Sequence, residues 1–224
     1  MRYTDFTPYD LVLLLQGLGV SVGLFVATTL LGGAIGLTWA LLRYYRVPVL
    51  AHVAAALAEL LKNSPVLVQL FLVFFGLPVL LQTDLTPVQA ALITLSGNTA
   101  AFLYVIAVSS IEAVGREQLE TARVFGLTRW QVLRHVVAPQ AAAFALGPLT
   151  GLLVNQLQVT SLVAVVGVLD LTKMGVILNL RTLKPFIVWT VVGVLYYLMA
   201  KLIARLCGAL ETRLRAHGTS KGMA

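Results

Sequence analysis

From Leu11 to Leu42 the chain runs without a charged residue. A helix rises about 1.5 Å per residue, so roughly 20 apolar residues cross the hydrocarbon core of a bilayer. Leu11–Leu42 exceeds that length, leaving room for tilt or an interfacial entry turn. Four more apolar runs follow: His52 to Leu81, interrupted near its start by LKNSPV, then Pro87 to Ile111, Ala141 to Val166 and Phe186 to Leu210. Pro87 falls in a first turn, where a missing N–H costs little. Charged residues make up 11% of the chain and mean hydropathy is +0.92, whereas soluble domains carry about 25% charge. The expectation is an all-α integral membrane protein of about five spans, forming a single domain over residues 1–224.

Sidedness follows from Lys and Arg, which favour the cytoplasmic loops. With the N-terminus outside, the inner side holds Arg43, Arg46, Arg116, Arg123, Arg129, Arg134, Arg205, Arg213, Arg215 and Lys221, and the outer side Arg2, Lys173, Arg181 and Lys184. Lys62 and Lys201 lie within or beside spans. This bias predicts N-out and C-in, consistent with an odd number of spans, which puts the two ends on opposite sides. The net charge of +7 is then a loop property, and no aromatic-interleaved basic cluster points to nucleic acid. Asp5 and Asp10 precede the first run where a cleavable signal would carry basic residues, so the first span is expected to stay in the mature protein. The lone Cys207 reads as a small lipid- or core-facing residue. Gly19/Gly23, Gly32/Gly36 and Gly147/Gly151 have the spacing of close helix packing. The ordinary glycine enrichment of membrane helices explains them equally well.

One segment does not suit lipid. Between Glu112 and Val137 stand Glu112, Arg116, Glu117, Glu120, Arg123, Arg129, Arg134 and His135, and charges at bilayer depth cost about 2.5 kcal/mol or more each. Its periodicity is helical, with Val124 and Phe125 on one apolar face and Trp130, Leu133 and Val137 on another. Gly126 suits the left-handed conformation that ends a helix, and Thr128 with Gln131 has capping-box spacing. The prediction is two short helices joined at a tight corner, with Pro139 opening the fourth span. Glu120 and Arg123, at i and i+3, are spaced to brace the first helix. Periodicity alone leaves open whether this element docks a partner or lies on lipid headgroups.

Glu120-Thr-Ala122, three residues, Gly126, nine residues, Val136, one residue, Ala138-Pro139 resembles the EAA signature of ABC-importer permeases. That signature is EAA, three residues, G, nine residues, I, one residue, LP. Thr121, Val136 and Ala138 depart from it conservatively. The resemblance extends over nearly the whole chain. Glu59-Leu-Leu-Lys62-Asn-Ser-Pro65 with VLVQLFLVFFGLP, and Thr160-Ser161-Leu162 with Val166-Gly167-Val168 and Leu171-Thr172, are similar to the polar amino-acid uptake subfamily. The resemblance implies a type I ABC-importer permease fold in a bacterial inner membrane, with residues 112–139 as the cytoplasmic coupling loop. It implies that Glu120, Ala122, Arg123, Gly126, Leu127 and Pro139 couple to a separate ATPase carrying ATP and Mg2+. It also implies a second permease subunit and an external solute-binding protein as partners.

The residues themselves offer no catalytic apparatus. No G-x-x-x-x-G-K-[ST] or H-E-x-x-H motif occurs, so the chain is expected not to be an enzyme and to bind no cofactor. His52, His135 and His217 are far apart in sequence and read as interfacial histidines. Polar groups within spans mark candidate substrate contacts: Gln69 in span two, Asn98 in span three, and Asn155, Gln156, Gln158, Thr160 and Ser161 in or just after span four. Interhelical hydrogen bonding explains each of them as well. Glu59 and Lys62, at i and i+3, read as a brace or gate pair.

Two departures from the subfamily bear on the cargo. Where span three commonly reads like AEIxRGGI, this chain has Tyr104-Val-Ile-Ala-Val-Ser-Ser-Ile111, with Val105 and Val108 at the charged positions. Where span four commonly has KDTSL, this chain has Gln158-Val-Thr-Ser-Leu162. Either the substrate is less charged, or the chain is the less substrate-engaged half of a heterodimer, which is the favoured explanation. Two other classes compete. A gradient-driven secondary transporter or channel subunit predicts intramembrane titratable groups and repeat-related broken helices, and the chain has few of either. A membrane scaffold would explain a docking element without a polar path, and the amides in spans three and four count modestly against it.

Overall fold

The computed structural model describes residues 7–220, without the side chains of Arg123 and residues 213–220. The expectations for Arg2, Asp5, Arg213, Arg215, His217 and Lys221, and for a Glu120–Arg123 brace, lie outside the described residues. The described chain forms helices α1 (Pro8–Tyr44), α2 (Pro48–Lys62), α3 (Val66–Leu81), α4 (Pro87–Glu112), α5 (Arg116–Val124), α6 (Arg129–Val166), α7 (Leu171–Thr182) and α8 (Pro185–Ser220), and no strand among the described residues.

Prolines and small polar residues set these boundaries. Pro8, Pro48 and Pro87 sit in first turns, where the helix needs no donor. Thr86 and Gln89 close a capping box on α4. Pro78 and Pro139 lie inside helices, and each follows a π-turn, at Leu72–Gly76 and Leu133–Val137. A proline cannot donate to the carbonyl four residues back and crowds it. The chain widens to i→i+5 spacing, with Leu77 and Ala138 donating to Leu72 and Leu133, and the helix continues.

Four single helices, α1, α4, α6 and α8, have the length and apolarity of a span, and α2 with α3 qualifies only as a pair bent by 108°. Packing decides the count. A Cβ on Gly32 would meet Ser96 and Thr99, and one on Gly36 would meet Ala100 and Leu103. Both numbers rise together, so α1 and α4 run parallel, and Arg43 meets Glu112 at their shared end at 3.2 Å. Parallel spans need a return crossing between them, and the bent α2–α3 pair supplies it. The glycine pairs therefore divide, because Gly19, Gly23, Gly147 and Gly151 have nothing within 4 Å of an added Cβ.

One expectation is sharpened and one is corrected. The interruption at LKNSPV divides the second apolar run into two helices, because Pro65 disfavours helical backbone at Ser64 and α2 stops at Lys62. The Gln69 amide then donates to the carbonyls of Leu61 (2.7 Å) and Ser64 (3.0 Å), fixing the bend. The fourth span does not open at Pro139. The turn begun at Arg129 runs through the π-turn into the span, so the corner joins one short helix to the start of a long one.

At the end of the bundle opposite Arg43, the segment between the last two spans folds as α7. Asp170 caps it, accepting from Lys173 N–H (2.8 Å) and Thr172 N–H (3.2 Å). Tyr196 of α8 donates to Asp170 (3.3 Å), Ser21 of α1 accepts from Leu171 N–H (3.1 Å), and Asp10 pairs with Arg181. Leu14, Leu171, Leu178, Val188 and Val192 fill the core beneath this clasp.

Candidate functional site

The charged central segment projects from the end of the bundle where α1 and α4 finish. Helix α5 is polar, and its small Ala122 is 6% exposed, packed with Val114, Val132, Leu133, Val137 and Ala141. A larger side chain there would separate α5 from α6. Gly126 follows with φ +76, a conformation an L side chain adopts only at a cost. The Leu127 N–H then returns to the Ala122 carbonyl at 3.2 Å. Thr128 and Gln131 form the expected capping box. The glycine and the cap together fix the angle at which α5 leaves α6.

That angle puts apolar side chains into solvent. Val124 is 87% exposed, Phe125 79% and Trp130 57%, on an element otherwise covered with charge. Beside Phe125 lies an open hollow of about 480 Å³ lined by Glu117, Thr121, Ala122, Leu127 and Val136. Burying one such side chain on a partner is worth about 1.5–3 kcal/mol, and exposed apolar groups rimmed by charge mark a surface that meets a protein partner or a membrane. Glu120 is exposed at the edge of this surface, Leu127 is half-buried beneath it, and Pro139 is exposed on the first turns of α6.

The polar groups within the spans fall into two sets. Gln156 is fully buried and donates to Thr28 Oγ1 at 3.0 Å, tying α6 to α1. Asn98 is 1% exposed, with its Oδ1 unpartnered among the described residues. Thr160 is buried, its hydroxyl donating to the Leu157 carbonyl, and Gln69 is spent on the α2–α3 bend. By contrast Asn155 and Gln158 are exposed, in line with Gly147 and Gly151 along one stripe of α6, and Ser161 stands half-buried at its end. Glu59 and Lys62 pair at 3.1 Å, with Asn63 donating to the same carboxylate at 2.7 Å. His52 and His135 contact the carbonyls of Pro48 and Gln131, and no cluster of metal-ligating residues occurs among the described residues.

Sequence reasoning missed the Asp170 cap, the Asp10–Arg181 pair and Tyr196. Asp170 directly before an apolar helical run was a visible capping signal. The pairing of Asp10 with a residue so far along the chain left no local trace.

Four span-length helices, a bent α2–α3 pair that supplies a fifth crossing, and a projecting helical corner with exposed apolar groups describe a multi-pass membrane protein with a candidate docking surface. Residues 13–216 match the family described as binding-protein-dependent transport system inner membrane component, and the chain belongs to that family. It is a permease subunit of an ATP-driven importer. Among its relatives, a probable amino-acid ABC transporter permease of Bacillus subtilis is 29% identical over 89% of this chain and 88% of its own. The glutamine transport system permease protein of Escherichia coli is 26% identical over 91% of this chain and 93% of its own. A solved amino acid ABC transporter, crystallised with histidines, superposes with a TM-score of 0.84 at 26% identity, covering 94% of this chain and 100% of its own.

Proposed function

We propose that this chain is the amino-acid-conducting permease of its importer, acting as a single domain with its N-terminus outside and α5 in the cytoplasm. One observation carries the mechanism: the Glu120-to-Pro139 spacing folds into a short helix, a left-handed Gly126 and an exposed Val124–Phe125 edge. That edge seats on the ATPase, with Glu120, Arg123 and Leu127 around it. Ala122 and Gly126 hold the angle, and Pro139, just past the π-turn, carries movement along α6. ATP and Mg2+ act on the partner, and closure of two ATPases draws two such elements together, opening the path outward. Nucleotide shifts this equilibrium only through its different affinity for the two states.

The substrate path runs along the open stripe of α6. Exposed amides in a span are costly against lipid, which supports a polar path or a second permease over Asn155 and Gln158, with Ser161 at its end. Asn98, Gln69 and Thr160 support that wall from behind, and Glu59–Lys62 braces α2. The uncharged Val105, Val108 and Gln158 favour a different permease as the second subunit, and an external solute-binding protein delivers the amino acid.

The test is ATP-driven amino-acid uptake into vesicles holding the chain, its ATPase, a second permease and the binding protein. Gly126→Pro and Glu120→Arg should each abolish uptake while the assembly still inserts. Uptake without ATP, or uptake indifferent to both changes, would sink the coupling assignment.

A further inference from the structure

At the end of the bundle carrying Arg43, a recess of about 520 Å³ opens between the ends of α1 and α4 and the start of α2. Its polar side is Arg43, Arg46, His52 and Glu112, and its apolar wall includes Ala51, Ala55 and Val108. The charges do not cancel. Arg43 and Glu112 satisfy each other at 3.2 Å, which leaves Arg46 as a cation with no carboxylate partner among the described residues. His52 has Nδ1 against the Pro48 carbonyl, so that nitrogen carries the hydrogen and Nε2 is the ring's remaining polar atom. Arg46 also holds φ +55, a left-handed conformation that costs an L residue energy and that gathers at functional sites.

We propose that this recess binds the headgroup of an anionic phospholipid, its phosphate on Arg46 and Arg43 and its glycerol and first acyl carbons along the alanine wall. The recess lies at the ends of helices long and apolar enough to span, where headgroups border the hydrocarbon core, and basic pockets between spanning helices suit anionic headgroups. A free phosphate would use the arginines and leave the apolar wall bare; a phospholipid uses both. None of this depends on which solute the importer carries.

The full chain, assembled with its partner subunits, goes into nanodiscs of phosphatidylcholine with a minor fraction of phosphatidylglycerol. Native mass spectrometry then counts the retained lipids. Phosphatidylglycerol should be enriched on the wild type, and Arg46→Asn should cut that enrichment about fivefold, the share of one basic side chain at an anionic surface. Asparagine tolerates the left-handed conformation, so this variant keeps the turn. Glu112→Gln removes the only carboxylate lining the recess among the described residues and should raise enrichment, an effect that misfolding cannot imitate. Arg205→Gln, on α8 away from the recess, should change nothing. The proposal is overturned if Arg205→Gln loses as much as Arg46→Asn, if Arg46→Asn loses nothing, or if free glycerol phosphate removes the enrichment.

Discussion

Replacing Gly32 by alanine tests the packing that sets the direction of the first and third spans. An ideal Cβ on Gly32 lies 2.5 Å from the Ser96 carbonyl oxygen and 2.6 Å from Thr99 Cβ. Ordinary contact begins near 3.4 Å, so the backbones must part by about 1 Å. The methyl has no torsion by which to escape, and the nearest atom belongs to a helix backbone. Overpacking of this kind costs about 1–3 kcal/mol. Alanine returns about 0.5–1 kcal/mol through its better helix propensity, leaving a net loss of up to about 2.5 kcal/mol. At about 2–4 °C per kcal/mol for a chain of this size, Tm should fall by up to about 10 °C.

The control is Gly19→Ala on the same helix, where nothing lies within 4 Å of the added carbon; its Tm should hold or rise. Adding Gly36→Ala to Gly32→Ala should cost less than the two single losses combined, because one shift of α1 relieves both clashes. Thermal unfolding of the purified chain in one detergent, followed by circular dichroism, reads all four. Equal Tm values for Gly32→Ala and Gly19→Ala would refute the parallel α1–α4 contact, and with it the reason for counting α2–α3 as a crossing.

Gln69→Leu should lower Tm in the same assay, because it orphans the Leu61 and Ser64 carbonyls at the α2–α3 bend, a loss of about 1–3 kcal/mol; an unchanged Tm would mean the bend does not need the amide. Burial pushes the Asp170 carboxyl above the usual carboxylate range, against the opposing pull of the Lys173 and Thr172 N–H groups and the Tyr196 hydroxyl. The folded chain therefore holds this proton more tightly than the unfolded one, so the contribution is present below about pH 4 and lost as pH rises through the folded value. Asp170→Asn keeps a capping acceptor and should flatten that part of the Tm-against-pH curve; parallel curves for the two proteins would contradict it.

What could be read from the chain alone was what local chemistry decides. Apolar length marks the spans, Pro87 marks the start of one, and Gly126 with Thr128–Gln131 marks the corner, because each acts on its own few residues. The Glu120-to-Pro139 spacing is local too and carries the family resemblance, whereas periodicity alone left open whether the element meets a partner or lipid headgroups. The failures have the same origin in reverse. LKNSPV announced a break but not its 108° angle, which follows from Gln69 reaching back across it.

Tertiary structure decided which equivalent-looking residues do different work. Gly32/Gly36 and Gly19/Gly23 share one spacing and one helix, yet only the first pair meets a neighbour. Gln156 and Gln158 are two residues apart, yet one is sealed against Thr28 and the other lies on the open stripe of α6. Asp10 finds Arg181 across nearly the whole chain. Periodicity says which residues share a helix face, but the rotation of that face toward a neighbour is set by contacts between distant segments, which only the assembled bundle contains.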